Sequence, residues 1–207
     1  MQTGNKKYLN KKKNREYYKK GDSHFMVLEN CTQANRVIDR IQWLVEKVHE
    51  LDGRTHIAVG CKDGYECMTL QAMGIDCVGI DPSEDSILEA RHKADQLGWD
   101  GRKMFQLGFG EDIPEGVHAD TVSCLEVIEH VADEKALLKV LSRLGTYVLI
   151  STPDANGRHG LEDSKRNEEH VRMFTQKELE ELIAQYGEIK ESVIRDDQIC
   201  IMYKSNI

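Results

Sequence analysis

Between residues 33 and 51 the apolar side chains Val37, Ile38, Ile41, Leu44, Val45 and Val48 recur at three- and four-residue intervals, the spacing of one helical face. Asp52-Gly53 ends that pattern. Downstream, short apolar runs at 55–61, 76–80, 103–109, 121–125, 147–151, 190–194 and 199–203 predict seven strands. Helical spacing at 64–73, 84–97, 134–144 and 176–186 fills the intervals. Strands alternating with helices of this length imply right-handed βαβ crossovers and a mostly parallel sheet covered on both faces. Only residues 195–198 separate the last two strands, too few for a crossover, so these form an antiparallel hairpin. The expected fold class is α/β.

The chain has 207 residues, 40% of them hydrophobic, which suits one domain with a sizeable core. A basic N-terminal arm over 1–32 precedes an α/β domain over 33–207, whose first helix is 33–51. No apolar run is long enough to span a bilayer, and no apolar stretch follows the basic N-terminus, so the expectation is a cytoplasmic protein without membrane contact. The six cysteines form no CxxC pair, which excludes a zinc ribbon; they read as small core residues. His24, His49, His56 and His92 are scattered and read as surface or core residues without chemistry.

Charge is unevenly placed. Residues 1–21 hold eight Lys and Arg against Glu16 alone, a net of +7, which leaves −15 on the rest of a chain totalling −8. Tyr8, Tyr17 and Tyr18 lie among these cations, a mixture that can track phosphates and stack on bases. A solvated arm packed on the domain or on a second subunit, as in a homodimer, explains the same composition. The acidic body repels a polyanion everywhere but at the arm.

In open parallel sheets ligands bind outside the carboxyl ends of the strands. Strand one runs into Val59-Gly60-Cys61-Lys62-Asp63-Gly64-Tyr65, a turn between two glycines that lets a ligand approach the backbone. It is neither a phosphate loop nor the G-x-G-x-x-G of nicotinamide enzymes. Strand two ends Val78-Gly79-Ile80-Asp81-Pro82-Ser83, where a carboxylate can accept both hydroxyls of a ribose or cap the next helix with Ser83. Strand three ends Leu107-Gly108-Phe109-Gly110, and strand four ends Leu125-Glu126-Val127-Ile128-Glu129-His130-Val131.

This series resembles the class I S-adenosylmethionine-dependent methyltransferases, in particular the group carrying E-V-I-E-H after strand four. Ubiquinone-biosynthesis O-methyltransferases and small-RNA 2′-O-methyltransferases belong to that group. The similarity extends from about Thr55 to the C-terminus and includes Ser151-Thr152-Pro153 and His170-Val171-Arg172-Met173-Phe174-Thr175. It implies a single Rossmann-like domain whose seven-stranded sheet has one antiparallel strand, the last. It also implies that Gly60, Cys61 and Gly64 admit the methionine end of the cofactor. Asp81 and Pro82 would meet the ribose, the Gly108, Phe109 and Gly110 turn the adenine, and Glu126 the methionine and methyl group. Three positions depart from the family pattern: Ala58 replaces an acid that organises the methionine ammonium, Lys62 replaces a glycine, and Phe109 replaces an acid facing adenine.

Glu129, His130 and His170 are the candidate catalytic residues. Glu126 with Glu129 and His130 would share one face if their segment were helical. With His170 they offer a plausible divalent-metal shell, but a metal-free pocket role is the favoured expectation, with S-adenosylmethionine the cofactor. The leading expectation is methyl transfer to an O or N atom of a small molecule or saccharide. Alternatives are a metal-assisted RNA 2′-O-methyltransferase, with the basic arm on nucleic acid, and a degenerate partner subunit. Acceptor choice is expected to reside in the first helix and in the loop over 154–169, which reads either as a lid or as a solvated excursion. Asp81→Ala is expected to weaken cofactor binding about ten- to a hundredfold with little change in melting temperature.

Overall fold

The computed structural model describes residues 31–157 and 170–207. Residues 1–30 of the basic arm, and all of the 154–169 loop after residue 157, lie outside the described residues, and the arm's last two residues begin the first helix, two residues earlier than expected. Helix α1 (Cys31–Glu50) leads into β1 (Thr55–Val59), α2 (Tyr65–Ala72), β2 (Asp76–Asp81) and α3 (Glu84–Gln96). A single turn, α4 (Gly101–Met104), precedes β3 (Phe105–Leu107). Then come β4 (Ala119–Leu125), α5 (Glu134–Leu144), β5 (Gly145–Pro153), α6 (Gln176–Ile183), β6 (Gly187–Arg195) and β7 (Gln198–Ser205).

The seven strands form one sheet in the order β3-β2-β1-β4-β5-β7-β6, with β7 antiparallel to both neighbours and the remaining pairs parallel. Asp196 and Asp197 connect β6 to β7 with φ of 42° and 62°, the left-handed pair that a two-residue hairpin requires. This is the expected hairpin and the expected single antiparallel strand. Two apolar layers sandwich the sheet. Trp43, Leu44, Leu70, Ile87 and Phe105 lie between the sheet and α1–α3, and Leu138, Leu141, Phe174, Ile183 and Tyr203 between the sheet and α5 and α6. Burial of each such side chain contributes about 1.5–3 kcal/mol.

Caps fix where the helices begin. The Ser83 hydroxyl accepts the Ser86 N–H at 3.2 Å ahead of α3, and the Asp133 carboxylate accepts the Ala136 N–H at 3.1 Å ahead of α5. Thr175 and Glu178 form a reciprocal capping box for α6. Helix α1 is tied to β6 through Trp43 Nε1, which donates to Glu191 at 2.8 Å, and through the Arg195–Asp39 pair at 3.0 Å. Within α1, Ile38 is exposed although its spacing placed it on the apolar face.

The sheet departs from the expected covering on one side. Between β3 and β4 there is no crossover helix, only a 3₁₀ turn at Gly110–Asp112 and a loop. Val78, Leu107 and Val117 are accordingly exposed near β1–β3. Strand three is also shorter than its apolar run, because Gly101–Met104 winds into a helical turn capped by Asp100.

Candidate active site

Strand order reverses between β1 and β4, and the tips of β1, β2 and β4 meet at that point. The loop after β1 turns sharply. Gly60 has φ +80°, and its N–H donates to the Ile80 carbonyl at 2.8 Å; a Cβ here would collide with Val127 from the β4 tip. Gly64 has φ +79°, and a Cβ there would collide with the Phe105 ring. Lys62 also adopts a left-handed φ, +48°, in the position where the related fold uses glycine; its side chain is exposed and only its backbone faces inward.

Asp81 closes the loop onto β2. The Lys62 N–H donates to Asp81 Oδ2 at 2.9 Å, and the Ser83 N–H to Oδ1 at 2.8 Å. The residue is 8% exposed, and burial raises its pKa while the two backbone donors pull the other way. A carboxylate has about four acceptor positions, so two remain for ribose hydroxyls. Capping of α3 falls to Ser83 rather than to Asp81.

The other expected cofactor residues divide. Gly108 donates its N–H to the Asp81 carbonyl at 3.0 Å, which joins the β2 and β3 tips. Pro82 and Phe109 are half-buried next to them, and the Phe109 N–H donates to Asp112 Oδ2 at 3.0 Å. Gly110 is buried, and a Cβ on it would lie 2.9 Å from Val59 Cγ1, so it serves close packing. Cys61 points its thiol into the core against Gly79, leaving only its backbone to line the loop. The other described cysteine side chains, Cys67, Cys77, Cys124 and Cys200, are likewise free and buried.

The segment after β4 is not the helical face that the spacing allowed. Glu126 has φ +56°, and a 3₁₀ turn starts only at Ile128–His130, so Glu126 and Glu129 diverge. Glu126 accepts the Ser151 hydroxyl at 2.8 Å and lies 3.9 Å from Arg40 of α1. A left-handed non-glycine residue costs of order 1 kcal/mol and marks a position held by its surroundings. Here the Ser151 carbonyl accepts the Glu126 N–H at 2.9 Å.

Glu129 instead faces the histidines. It is 1% exposed; Thr152 Oγ1 donates to its Oε2 at 2.9 Å, while its buried Oε1 accepts no hydrogen bond from a described residue. His130 Nε2 lies 3.9 Å from that oxygen. The His130 and His170 rings meet edge to face with centroids 4.8 Å apart. The Val171 and Arg172 N–H groups both donate to the Glu129 carbonyl, at 2.8 and 3.2 Å, and this brings residue 170 to the turn from far along the chain. One ligand atom each from Glu129, His130 and His170 lies within 4.8 Å of the others. Burial, and then the charge of Glu126, push the Glu129 carboxyl well above the usual range. The arrangement can take a proton from an acceptor hydroxyl or hold a cation.

Three residues of the site were not found by motif. Glu66, in the first turn of α2, is 7% exposed and accepts the Ser123 hydroxyl at 3.0 Å; burial pushes its pKa up to about 7. His56 bridges the Thr121 and Ser123 hydroxyls, 2.8 Å from each, and burial lowers its pKa to about 3, so it is neutral. Arg40 faces Glu126 from α1. The available signal for Glu66 was that it is the one charge within Tyr65–Ala72.

Comparisons with known proteins follow the same geometry. The family model for the methyltransferase domain matches residues 31–187. The ubiquinone biosynthesis O-methyltransferase of Leptothrix cholodnii is 29% identical over 126 residues, covering 56% of this chain and 52% of that protein. The chain thus spans about half the length of the curated relatives it matches. Magnesium protoporphyrin IX methyltransferase from Synechocystis, solved with bound SAM, superposes with a TM-score of 0.68 at 18% identity, over 95% of this chain and 97% of that one. The methyltransferase domain of a bacterial Hen1 gives a TM-score of 0.63 at 20% identity, over 80% of this chain and 97% of that one. Among the described residues no helix is long and apolar enough to cross a membrane. With its sheet order, its hairpin and most of its length matched by one family model, the chain belongs to the methyltransferase domain family.

Proposed function

We propose that this chain transfers a methyl group from S-adenosylmethionine to a hydroxyl oxygen of a small-molecule or saccharide acceptor. The observation that carries this reading is the buried Glu129 Oε1, without a hydrogen bond among the described residues, beside His130 and His170 at the tip of the strand that borders the Gly60–Gly64 loop. When bound, S-adenosylmethionine supplies an electrophilic methyl on a sulfonium. The Gly60–Gly64 turn and Asp81 would hold it, with Asp81 keeping acceptor capacity for the ribose.

The protein's own task is then alignment and proton removal. An acceptor hydroxyl placed against Glu129 would hydrogen-bond with Oε1 and give that oxygen a partner. An adjacent imidazole would take the hydroxyl proton as the C–O bond forms, the role general bases fill for about 10²–10⁴ of rate. The similarity to ubiquinone biosynthesis O-methyltransferases supports oxygen over nitrogen as the acceptor. Incubating the full chain with labelled S-adenosylmethionine and separate pools of phenols, sugars, nucleosides and amines tests this. Label in a hydroxyl pool, lost in His170→Ala, supports the reading; label confined to amines contradicts it.

A second reading rests on the same three residues. A divalent cation on Glu129, His130 and His170 would also satisfy Oε1 and would orient the two hydroxyls of a ribose, as an RNA 2′-O-methyltransferase requires. Fewer than a full shell of ligands gathers among the described residues, because Glu126 turns away to Ser151. Turnover that survives exhaustive chelation favours the metal-free reading.

A further inference from the structure

We infer that Glu66 is the residue that binds the α-ammonium group of the cofactor, a carboxylate supplied by α2 where β1 offers only Ala58. This deepens the proposed function and rests on it. In the sheet, Ala58 of β1 is the register partner of Ser123 of β4, and both are fully buried. Two small side chains side by side leave room for a carboxylate above them. Glu66 fills it, reaching from the first turn of α2 to the Ser123 hydroxyl at 3.0 Å. The turn that presents Glu66 is the one into which the Gly60–Gly64 loop runs, at the strand tips where the cofactor's amino-acid end is placed.

The supports behind Glu66 fit that role. Ser123 donates to Oε1 and stands 2.8 Å from His56, which stands 2.8 Å from Thr121. This chain of polar groups fixes the carboxylate from below without giving it a countercharge, since buried His56 is neutral. Around Glu66 the charged groups are Arg40 of α1, which favours its ionised form, and Asp63 and Asp81, which oppose it. The thiols of Cys61, Cys67, Cys77 and Cys124 are within reach of its charge, and burial first of all keeps them protonated near neutral pH. Beyond the longer-range charge of Arg40, this buried carboxyl accepts a side-chain hydrogen bond only from the neutral Ser123 hydroxyl and has no ion pair with a cation among the described residues. An ammonium ligand supplies one.

Glu66 titrates at about 7 in the free fold, so an ammonium that favours the carboxylate must expel its proton on binding below that pH. Affinity therefore rises with pH until Glu66 is ionised.

The test is titration calorimetry of the full chain with S-adenosylhomocysteine and with its analogue lacking the α-amino group, between pH 6 and 8. For the wild-type protein, proton release and rising affinity with the parent ligand, both absent with the deaminated one, are expected. Glu66→Gln should lose roughly ten- to a hundredfold for S-adenosylhomocysteine and little for the analogue. Equal losses for the two ligands, or a wild-type affinity that is flat with pH and releases no proton, overturn the assignment. The wild-type arm does not depend on how the variant folds. If wild-type protein binds neither ligand at millimolar concentration, the proposed function itself fails, and the assignment with it.

Discussion

The Lys62 N–H and the Asp81 carboxylate, one on the loop after β1 and the other at the tip of β2, meet at 2.9 Å. That bond couples the shape of the glycine turn to the group expected to hold the ribose. Its second oxygen takes the Ser83 N–H at 2.8 Å, so one side chain organises three segments of the crevice. If Asp81 holds the ribose as proposed, stability and ligand binding are linked at this residue.

Asp81→Ala should weaken S-adenosylhomocysteine binding about ten- to a hundredfold and also destabilise the free protein by about 1–3 kcal/mol. The second part revises the expectation of an unchanged melting temperature, because one buried and one part-buried backbone donor lose their acceptor. Asp81→Asn, which keeps an acceptor oxygen, should fall between the two. Melting curves and calorimetry on the same preparations check this; full affinity in Asp81→Ala would contradict the ribose role.

Lys62→Gly should leave the loop intact. Lys62 holds φ at +48° with an exposed side chain, so glycine relieves left-handed strain of the order of 1 kcal/mol. A slightly higher or equal melting temperature with ligand affinity retained is the expected result. A large loss of affinity would show that the ammonium of Lys62, rather than its backbone, serves the site.

Glu66 carries a stability signature of its own. Its pKa is about 7 in the fold against an ordinary 4.5, so the unfolded chain gives up this proton first as pH rises. The stability present below about pH 4.5 is lost progressively up to about pH 7, on the order of 3 kcal/mol for this group. Glu66→Gln should melt higher than wild type at pH 8 and closer to it at pH 5. The same variant binds the cofactor product less well, so stabilisation and loss of affinity in one protein separate a ligand role from a packing role.

His170→Ala should lower turnover about 10²–10³-fold while leaving S-adenosylhomocysteine affinity nearly unchanged. The imidazole sits edge to face against His130 and beside Glu129, whereas Glu126 pairs with Arg40 of α1. Single-turnover rates and calorimetry together separate the two effects. Parallel losses of rate and affinity would place His170 in the cofactor site instead.

Much of this was legible in the chain because it depended on local pattern. Alternating apolar runs placed all seven strands, and the short 195–198 link foretold the reversal at Asp196 and Asp197. The tips of β1, β2 and β4 followed from where those runs stop. What depended on contacts distant in sequence was less visible. Nothing near Glu66 announces that Ser123, fifty-seven residues away, will receive it. The spacing of Glu126 and Glu129 suggested a shared face, yet a positive φ at Glu126 sends the two carboxylates to Ser151 and Thr152 respectively. The apolar run at 103–109 hid the helical turn at Gly101–Met104 that precedes β3, whereas the interval between β3 and β4, which carries no helical spacing, forms no α-helix.

Calorimetric titration of the 207-residue wild-type chain with S-adenosylhomocysteine at pH 7.5 tests the central claim most directly. The account predicts saturable binding at one site, competed by S-adenosylmethionine and weakened at least about tenfold in Asp81→Ala. Absence of heat for either ligand at millimolar concentration, from protein that melts cooperatively, would contradict it.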